Sequence, residues 1–295
     1  MIRLAVRVRR EDAELVLAQL LEHAPSGVEE SEAGQGVVEY AVYGSPGELP
    51  RLPDLRAAAG AALVEVATSE LPDDWGERWK RFHRPVLIEP PVPRRGADTT
   101  PGLHIRPPWE PPCERPHVEE IVIDPGQAFG TGAHATTRMC LQLLLELAAD
   151  AAPQSGRGPL LDLGTGSGVL AIAAARLGFA PVLGLDHECE SVAAARENAL
   201  DNGVEIEVRS FDLRREPLPA LAAGAGLTVL ANLLKPLLLH LARSIACPPS
   251  DLIVGGLLRE QVEEVVGAFE SALNMRERER RCSGEWAAVW LAGSD

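Results

Sequence analysis

The chain reads as an α/β protein built on a doubly wound, mostly parallel sheet, with a smaller α/β domain in front of it. Three observations predict this. From His117 onward, apolar runs of strand length alternate with helix-length amphipathic runs, the pattern of parallel strands joined by crossovers. One of those strands runs into a glycine turn, Asp162-Leu163-Gly164-Thr165-Gly166-Ser167-Gly168. A small-residue helix and a second apolar strand ending on Asp186 follow it. This is the layout of a nucleotide-type site at the first βα turn of an open sheet. The first 70 residues, finally, carry a complete set of short elements of their own.

Those elements follow in the order βαββαβ. Ile2, Leu4, Val6 and Val8 alternate as one face of a strand. Glu11 to His23 carries Leu15, Leu17, Ala18 and Leu21 at helical spacing, with acids in its first turn. Ser26 to Glu30 is a short strand, Gly36 to Tyr43 a second, Leu52 to Ala59 a weak helix and Ala62 to Ala67 a last strand. This is the split-βαβ, ferredoxin-like arrangement.

Asp73 to His83 is a polar helix with Trp75, Trp79 and Phe82 on one side, expected to join the two domains; its aromatic stripe reads as packing, with substrate contact the lesser alternative. Ten of the 24 prolines lie between Pro85 and Pro116, which excludes regular helix and leaves only short or edge strands such as Leu103-Ile105. Arg94 to Pro101 reads as a surface loop. The domain division is therefore 1–70, a linker over 71–116, and 117–295.

The third part begins with strand Val118-Ile123, a loop, and a helix from Thr136 to Leu147. Strands then fall at Pro159-Leu163, Val182-Asp186, Ile206-Arg209, Leu227-Ala231 and Leu252-Gly255, with helices between them. Two final strands, Met275-Arg280 and Trp286-Leu291, have no helix between them and imply an antiparallel end to the sheet.

Composition narrows the function classes. Over 295 residues, 46% hydrophobic content is enough for a sizeable core. A net charge of −15 disfavours direct nucleic-acid binding, which depends on neutralising phosphates. It suits a basic protein partner, although charge of this kind also serves solubility alone. The five cysteines are scattered and without Cys-x-x-Cys spacing, so they imply neither a disulfide framework nor a zinc site. MIRLAVRVRR has no continuous apolar stretch of the signal-peptide kind, and Leu227 to Leu241 is interrupted by Asn232, Lys235 and Pro236. The expectation is a cytoplasmic monomer without metal or membrane contact.

Three segments carry chemistry. In the first, the glycine turn spaces its glycines as Gly-x-Gly-x-Gly, where a dinucleotide fold wants Gly-x-Gly-x-x-Gly. Asp162, just before the turn, is poorly placed for a pyrophosphate but well placed for the ammonium of S-adenosylmethionine. Asp186, 24 residues further on, is placed for ribose hydroxyls. A methyl-donor site is favoured over an NAD site. The second segment is IDPGQAFGTGAHATT. Phe129-Gly130-Thr131-Gly132 is too glycine-rich for regular structure, and Phe129 is suited to cover an adenine or a sulfonium. Thr137 is either a helix cap or a hydroxyl for the donor's carboxylate. His134 is either a base or a neutral group holding the loop. In the third segment, Leu227 to Leu234, an apolar strand ends on Asn232. Its carbonyl can accept hydrogen bonds from an amine and aim the nitrogen lone pair at a methyl group, or it can simply end the strand.

These segments together resemble the ribosomal protein L11 methyltransferase (PrmA) family. The motifs that carry the likeness are DPGQAFGTGAHATT, LLDLGTGSGVLAIAAARLG, GLDHECESVAAARENALDNG and ANLLKPLL, with IVGGLLREQVEEVV and EWAAVWL behind them. The resemblance covers about residues 70 to 295 and implies a Rossmann-like class I methyltransferase. It implies S-adenosylmethionine as donor and, as acceptors, lysine side chains and an N-terminal amine of a large-subunit ribosomal protein. Carried over by position, it implies that Thr137, Gly164, Asp186 and Asn232 form the donor site, with Phe129 and Gly166 as neighbours and Asn232 also lining the acceptor pocket. The N-terminal domain would recognise the substrate. Ala135, His187 and Lys235-Pro236 depart from the family's usual residues, as does the proline-rich stretch Pro90 to Pro101. The competing readings are a lysine methyltransferase for another protein, a donor-binding module without catalysis, and an NAD oxidoreductase.

Overall fold

A computed structural model describes residues 2–13, 16–17, 20, 28–34, 36–44, 49, 55, 59–70, 83–89, 100–125, 132–150, 157–218 and 226–293. The expected 73–83 helix, except His83, and the 94–101 loop, except its last two residues, lie outside them, as does Phe129. The chain forms two compact units, Met1–Phe82 and His83–Asp295.

The first unit is a four-stranded antiparallel sheet of β1 (Ile2–Arg9), β2 (Glu29–Glu32), β3 (Val37–Gly44) and β4 (Leu63–Glu70), in the order β2-β3-β1-β4. This is the strand order expected of a ferredoxin-like domain. The period-2 alternation of β1 puts Leu4, Val6 and Val8 into a core with Val16, Leu20, Val38, Tyr40 and Leu55. The buried Tyr40 hydroxyl donates to the Ala13 carbonyl at 2.9 Å. Elsewhere in the sheet, Glu39 accepts from both Arg3 and Arg7, and these two bonds hold its carboxyl below the usual carboxylate range despite some burial.

The second unit is built on a seven-stranded sheet: β8 (Leu160–Leu163), β9 (Val182–Asp186), β10 (Glu207–Ser210), β11 (Thr228–Asn232), β12 (Asp251–Leu258), β13 (Met275–Ser283) and β14 (Trp286–Gly293). The order is β10-β9-β8-β11-β12-β14-β13. The first five strands in that order are parallel, and β14 and β13 run antiparallel. The helices are α1 (Ala135–Asp150), α2 (Val169–Arg176), α3 (Cys189–Asp201), α4 (Lys235–Ser244) and α5 (Val262–Leu273). Apolar residues of α1 and α2 form one core, and those of α4 and α5 another with the opposite residues of the strands. Helices thus cover both faces, and β8 and β9 are buried at every position, as central parallel strands must be.

One expected strand joins a different sheet. Val118–Val122 (β7) pairs in parallel with Gly102–Arg106 (β6), which pairs antiparallel with Val86–Ile88 (β5). This small sheet packs its Leu103, Ile105 and Ile121 against the α1 and α2 core. Beside it, His104, Cys113 and Glu120 bring potential metal-ligating atoms within 4.8 Å of one another. Glu120 already accepts from the Cys113 N–H, His104 Nδ1 and Arg106 Nε, at 2.6, 2.9 and 3.0 Å. The carboxylate is already hydrogen-bonded on both oxygens, so a cation there would have to break contacts that the residues make with one another.

Candidate active site

The strand order reverses between β8 and β11, and in an open α/β sheet the crevice outside the strand ends at that point takes ligands. Asp162, Asp186 and Asn232 all come from the carboxyl ends of β8, β9 and β11.

Gly164, Gly166 and Gly168 adopt φ of 70°, 54° and 83°, a region open to glycine. A Cβ on Gly164 would lie 2.5 Å from Leu233 Cδ2, so the turn closely approaches the residue after Asn232. The turn is pinned to β9, because the N–H groups of Gly164 and Thr165 both donate to the Leu185 carbonyl, at 2.8 and 3.0 Å.

Asp186 links the same turn to the start of α3. Its Oδ2 accepts the Gly166 N–H at 2.9 Å and its Oδ1 the Glu188 N–H at 3.1 Å. A carboxylate has about four lone-pair sites, so capacity for further donors remains. Asp186 borders an open cleft with Leu163, Gly164, His187, Phe211, Asp212 and Leu233 among its walls.

Asp162 is 1% exposed. Its Oδ2 accepts the Thr165 hydroxyl at 2.7 Å, while Oδ1 makes no hydrogen bond. Burial pushes its carboxyl up to about 7; the Thr165 bond and the nearby Ala171 backbone N–H, which falls short of a hydrogen bond to Oδ1, oppose this, and the charge of Asp186 adds to it.

At the end of β11, Asn232 Nδ2 donates to the hydroxyl of the buried Thr137 at 3.4 Å. Asn232 Oδ1 is buried and has no partner. Thr137 lies inside the first turn of α1, so it is not the cap. His134 fills that place, with its Nδ1 accepting the Thr136 N–H at 3.3 Å. Burial, helped by Arg138, lowers the His134 pKa, and its ring meets Trp286 edge-on at 5.0 Å. A neutral histidine holding the helix start fits these contacts better than a base.

Two features of the site escape sequence reading. Phe211 and Asp212, just after β10, wall the cleft, and the only available signal was their position at a strand end. The pair Gly255-Gly256 forms an irregularity in the β12–β14 register. A Cβ on Gly255 would lie 2.8 Å from Asn232 Oδ1, and one on Gly256 2.5 Å from the Leu233 carbonyl. A glycine pair inside an apolar strand is the signal for such a close approach.

The unsatisfied oxygens of Asp162 and Asn232, the glycine cradle and the Asp186 cleft fit a cationic nucleoside carrying an amino-acid end. The model of the family described as ribosomal protein L11 methyltransferase (PrmA) matches residues 54–292. The chain belongs to this family. A ribosomal protein L11 methyltransferase of Geobacter sulfurreducens is 38% identical over 247 residues, 81% of this chain and 73% of that protein. Its counterpart in Pelobacter propionicus is 39% identical over 230 residues, 77% and 68% of the two chains. A crystal structure of a ribosomal protein L11 methylase from Lactobacillus delbrueckii subsp. bulgaricus superposes with a TM-score of 0.54 at 29% identity, covering 71% of this chain and 99% of that one. As a family member the chain is an S-adenosylmethionine-dependent methyltransferase. Among the described residues no helix is long and apolar enough to cross a membrane.

Proposed function

We propose that this chain moves methyl groups from S-adenosylmethionine to amines of ribosomal protein L11, on lysine side chains, at the N-terminus, or both. The observation that carries the site assignment is the pair of buried, unpartnered oxygens, Asp162 Oδ1 and Asn232 Oδ1, on neighbouring strand ends. In this reading Asp186 takes the ribose hydroxyls and Asp162 the donor's ammonium. Gly164 and Gly166 let the backbone approach, Thr137 anchors the carboxylate side, and Phe129 covers the donor.

Bound S-adenosylmethionine supplies an electrophilic methyl group on a sulfonium. The residues around it deliver a neutral, oriented nitrogen. A lysine amine starts near pKa ~10.4 and must shed a proton before it can attack. Desolvation against the buried end of β11 favours the neutral form, and the open cleft lets the proton leave to solvent. Asn232 Oδ1 then accepts an N–H of the amine and turns the lone pair toward the methyl carbon. Thr137 fixes which end of the carboxamide is free, because its hydroxyl holds Nδ2. Positioning of this kind supplies much of the rate in a displacement at carbon.

In this reading the first unit recognises the intact ribosomal protein, and the whole chain's net charge of −15 suits a basic segment on it. The enzyme works as a cytoplasmic monomer. Labelled-methyl transfer to purified L11, with mass spectrometry of L11 from cells with and without the gene, tests this. Label on L11 is the expected result. An inert L11 beside a labelled protein of another kind would shift the reading to a different substrate.

A further inference from the structure

Two buried asparagines, Asn198 in α3 and Asn202 at its C-terminal cap, join segments that are far apart in sequence. Asn198 is 2% exposed and Asn202 5%. Asn198 Oδ1 accepts the Asp124 N–H at 3.0 Å, and its Nδ2 donates to the Ser167 carbonyl at 2.8 Å. Asp124 opens the DPGQAFGTGAHATT motif and Ser167 lies inside the glycine turn, so one carboxamide bridges the two motifs. Asn202 clasps Val122 instead, accepting its N–H at 2.8 Å and donating to its carbonyl at 2.6 Å.

Burying a carboxamide is costly unless all of it is bonded, and Ala195 and Ala199 show that small apolar residues suit the buried side of this helix. Packing therefore does not require Asn198. The turn does require a restraint. Its three glycines take positive φ and are intrinsically permissive, so its shape must be imposed from outside. Leu185 and Asp186 impose it from β9 through the N–H groups of Gly164, Thr165 and Gly166. Asn198 imposes it from the helix side through the Ser167 carbonyl.

We propose that Asn198 is a positioning residue for the methyl donor, holding the glycine turn and the start of the Asp124 motif in one fixed relation. This rests on the assignment of the glycine turn to the donor. Asn202, whose side chain reaches β7 and the Asn198 backbone carbonyl (2.7 Å) but not the glycine turn, is the internal control.

The test uses calorimetric titration of S-adenosylmethionine into full-length wild type, Asn198→Asp and Asn202→Ala. Asn198→Asp keeps the acceptor for Asp124 and loses the donor to Ser167. Its Kd is expected to rise about tenfold, the equivalent of one lost hydrogen bond. As pH falls and the new carboxyl protonates, it regains an O–H donor, so the Kd ratio to wild type returns toward one. Asp162 and Asp186 are present in both proteins and cancel in that ratio. Asn202→Ala is expected to lower Tm with Kd unchanged. In donor-free protein, amide exchange at Gly166 and Gly168 should quicken in Asn198→Asp alone. Unchanged affinity and exchange in a folded Asn198→Asp, or equal losses in both variants, would overturn the inference. A wild type with no affinity for S-adenosylmethionine would sink the donor assignment separately, and the exchange result alone would then decide the coupling. If Asn198→Asp does not fold, Asn198→Ser, which loses both bonds and has no titrating group, carries the affinity and exchange comparisons with Asn202→Ala, and no change in either would overturn the inference.

Discussion

Asn232 Nδ2 donates to the Thr137 hydroxyl at 3.4 Å across 95 residues of sequence, and this contact decides how the carboxamide is presented. With the nitrogen held, the oxygen is the free end, and it is buried without a partner. An acceptor fixed in this way is suited to an amine that must arrive neutral and correctly turned.

Asn232→Ala is expected to lower kcat for methyl transfer about 10²-fold, the cost typical of a misplaced reacting group, with the donor Kd less affected. Steady-state kinetics beside donor titration would show the split. Unaltered turnover would remove Asn232 from the reaction.

Gly255→Ala should act on the same oxygen from the opposite side. The added Cβ would lie 2.5 Å from Cys140 Sγ and 2.8 Å from Asn232 Oδ1, so one of them must move. Turnover is expected to fall about tenfold, and Cys140→Ala in the same chain should recover part of it by opening space. Additive effects in that double-mutant cycle would refute the shared contact.

Asp186→Ala removes a carboxylate that ties the glycine turn to α3 and is available to two ribose hydroxyls. Hydrogen bonds to a charged acceptor contribute ~1.5–3 kcal/mol each, so donor affinity should weaken about 10²-fold or more. Titration calorimetry measures this directly, and an unchanged Kd would contradict the site as drawn.

Asp162 predicts a pH dependence of stability. Burial raises its folded pKa to about 7 from an ordinary value of 3.8. The native state therefore holds the proton more tightly than the unfolded chain. Its contribution is complete below about pH 4 and is lost as pH rises to about 7. Urea unfolding between about pH 5 and about pH 8 should show a falling component that Asp162→Asn lacks. Parallel curves for the two proteins would rule this out.

The glycine turn and its flanking strands were legible because every signal is local. Val182–Asp186 is an unbroken apolar run ended by its acid, and the structure ends β9 on that same residue. Asn232 was legible for the same reason, as the polar stop of an apolar strand. The small sheet was not. Val118–Ile123 has the same composition whichever sheet it joins, and its place is set by β6 and by Asn198 and Asn202, 74 and 80 residues away in sequence. Phe211 and Asp212 follow a polar edge strand with only Val208 buried, so nothing local marks them as cleft residues. The role of Thr137 was half legible. The helix start was clear and the His134 cap is a local contact, but that Thr137 meets Asn232, 95 residues away, depends on the tertiary fold.

The central claim is that the carboxyl edge between β8 and β11 seats the donor with its methyl group facing Asn232. A crystal structure of the chain with S-adenosylmethionine bound tests it most directly. The predicted result is a ribose on Asp186, the amino-acid end beside Asp162 and Thr137, and the sulfonium methyl turned toward Asn232 Oδ1. A nucleoside bound away from that edge, or a methyl group facing away from Asn232, would contradict it.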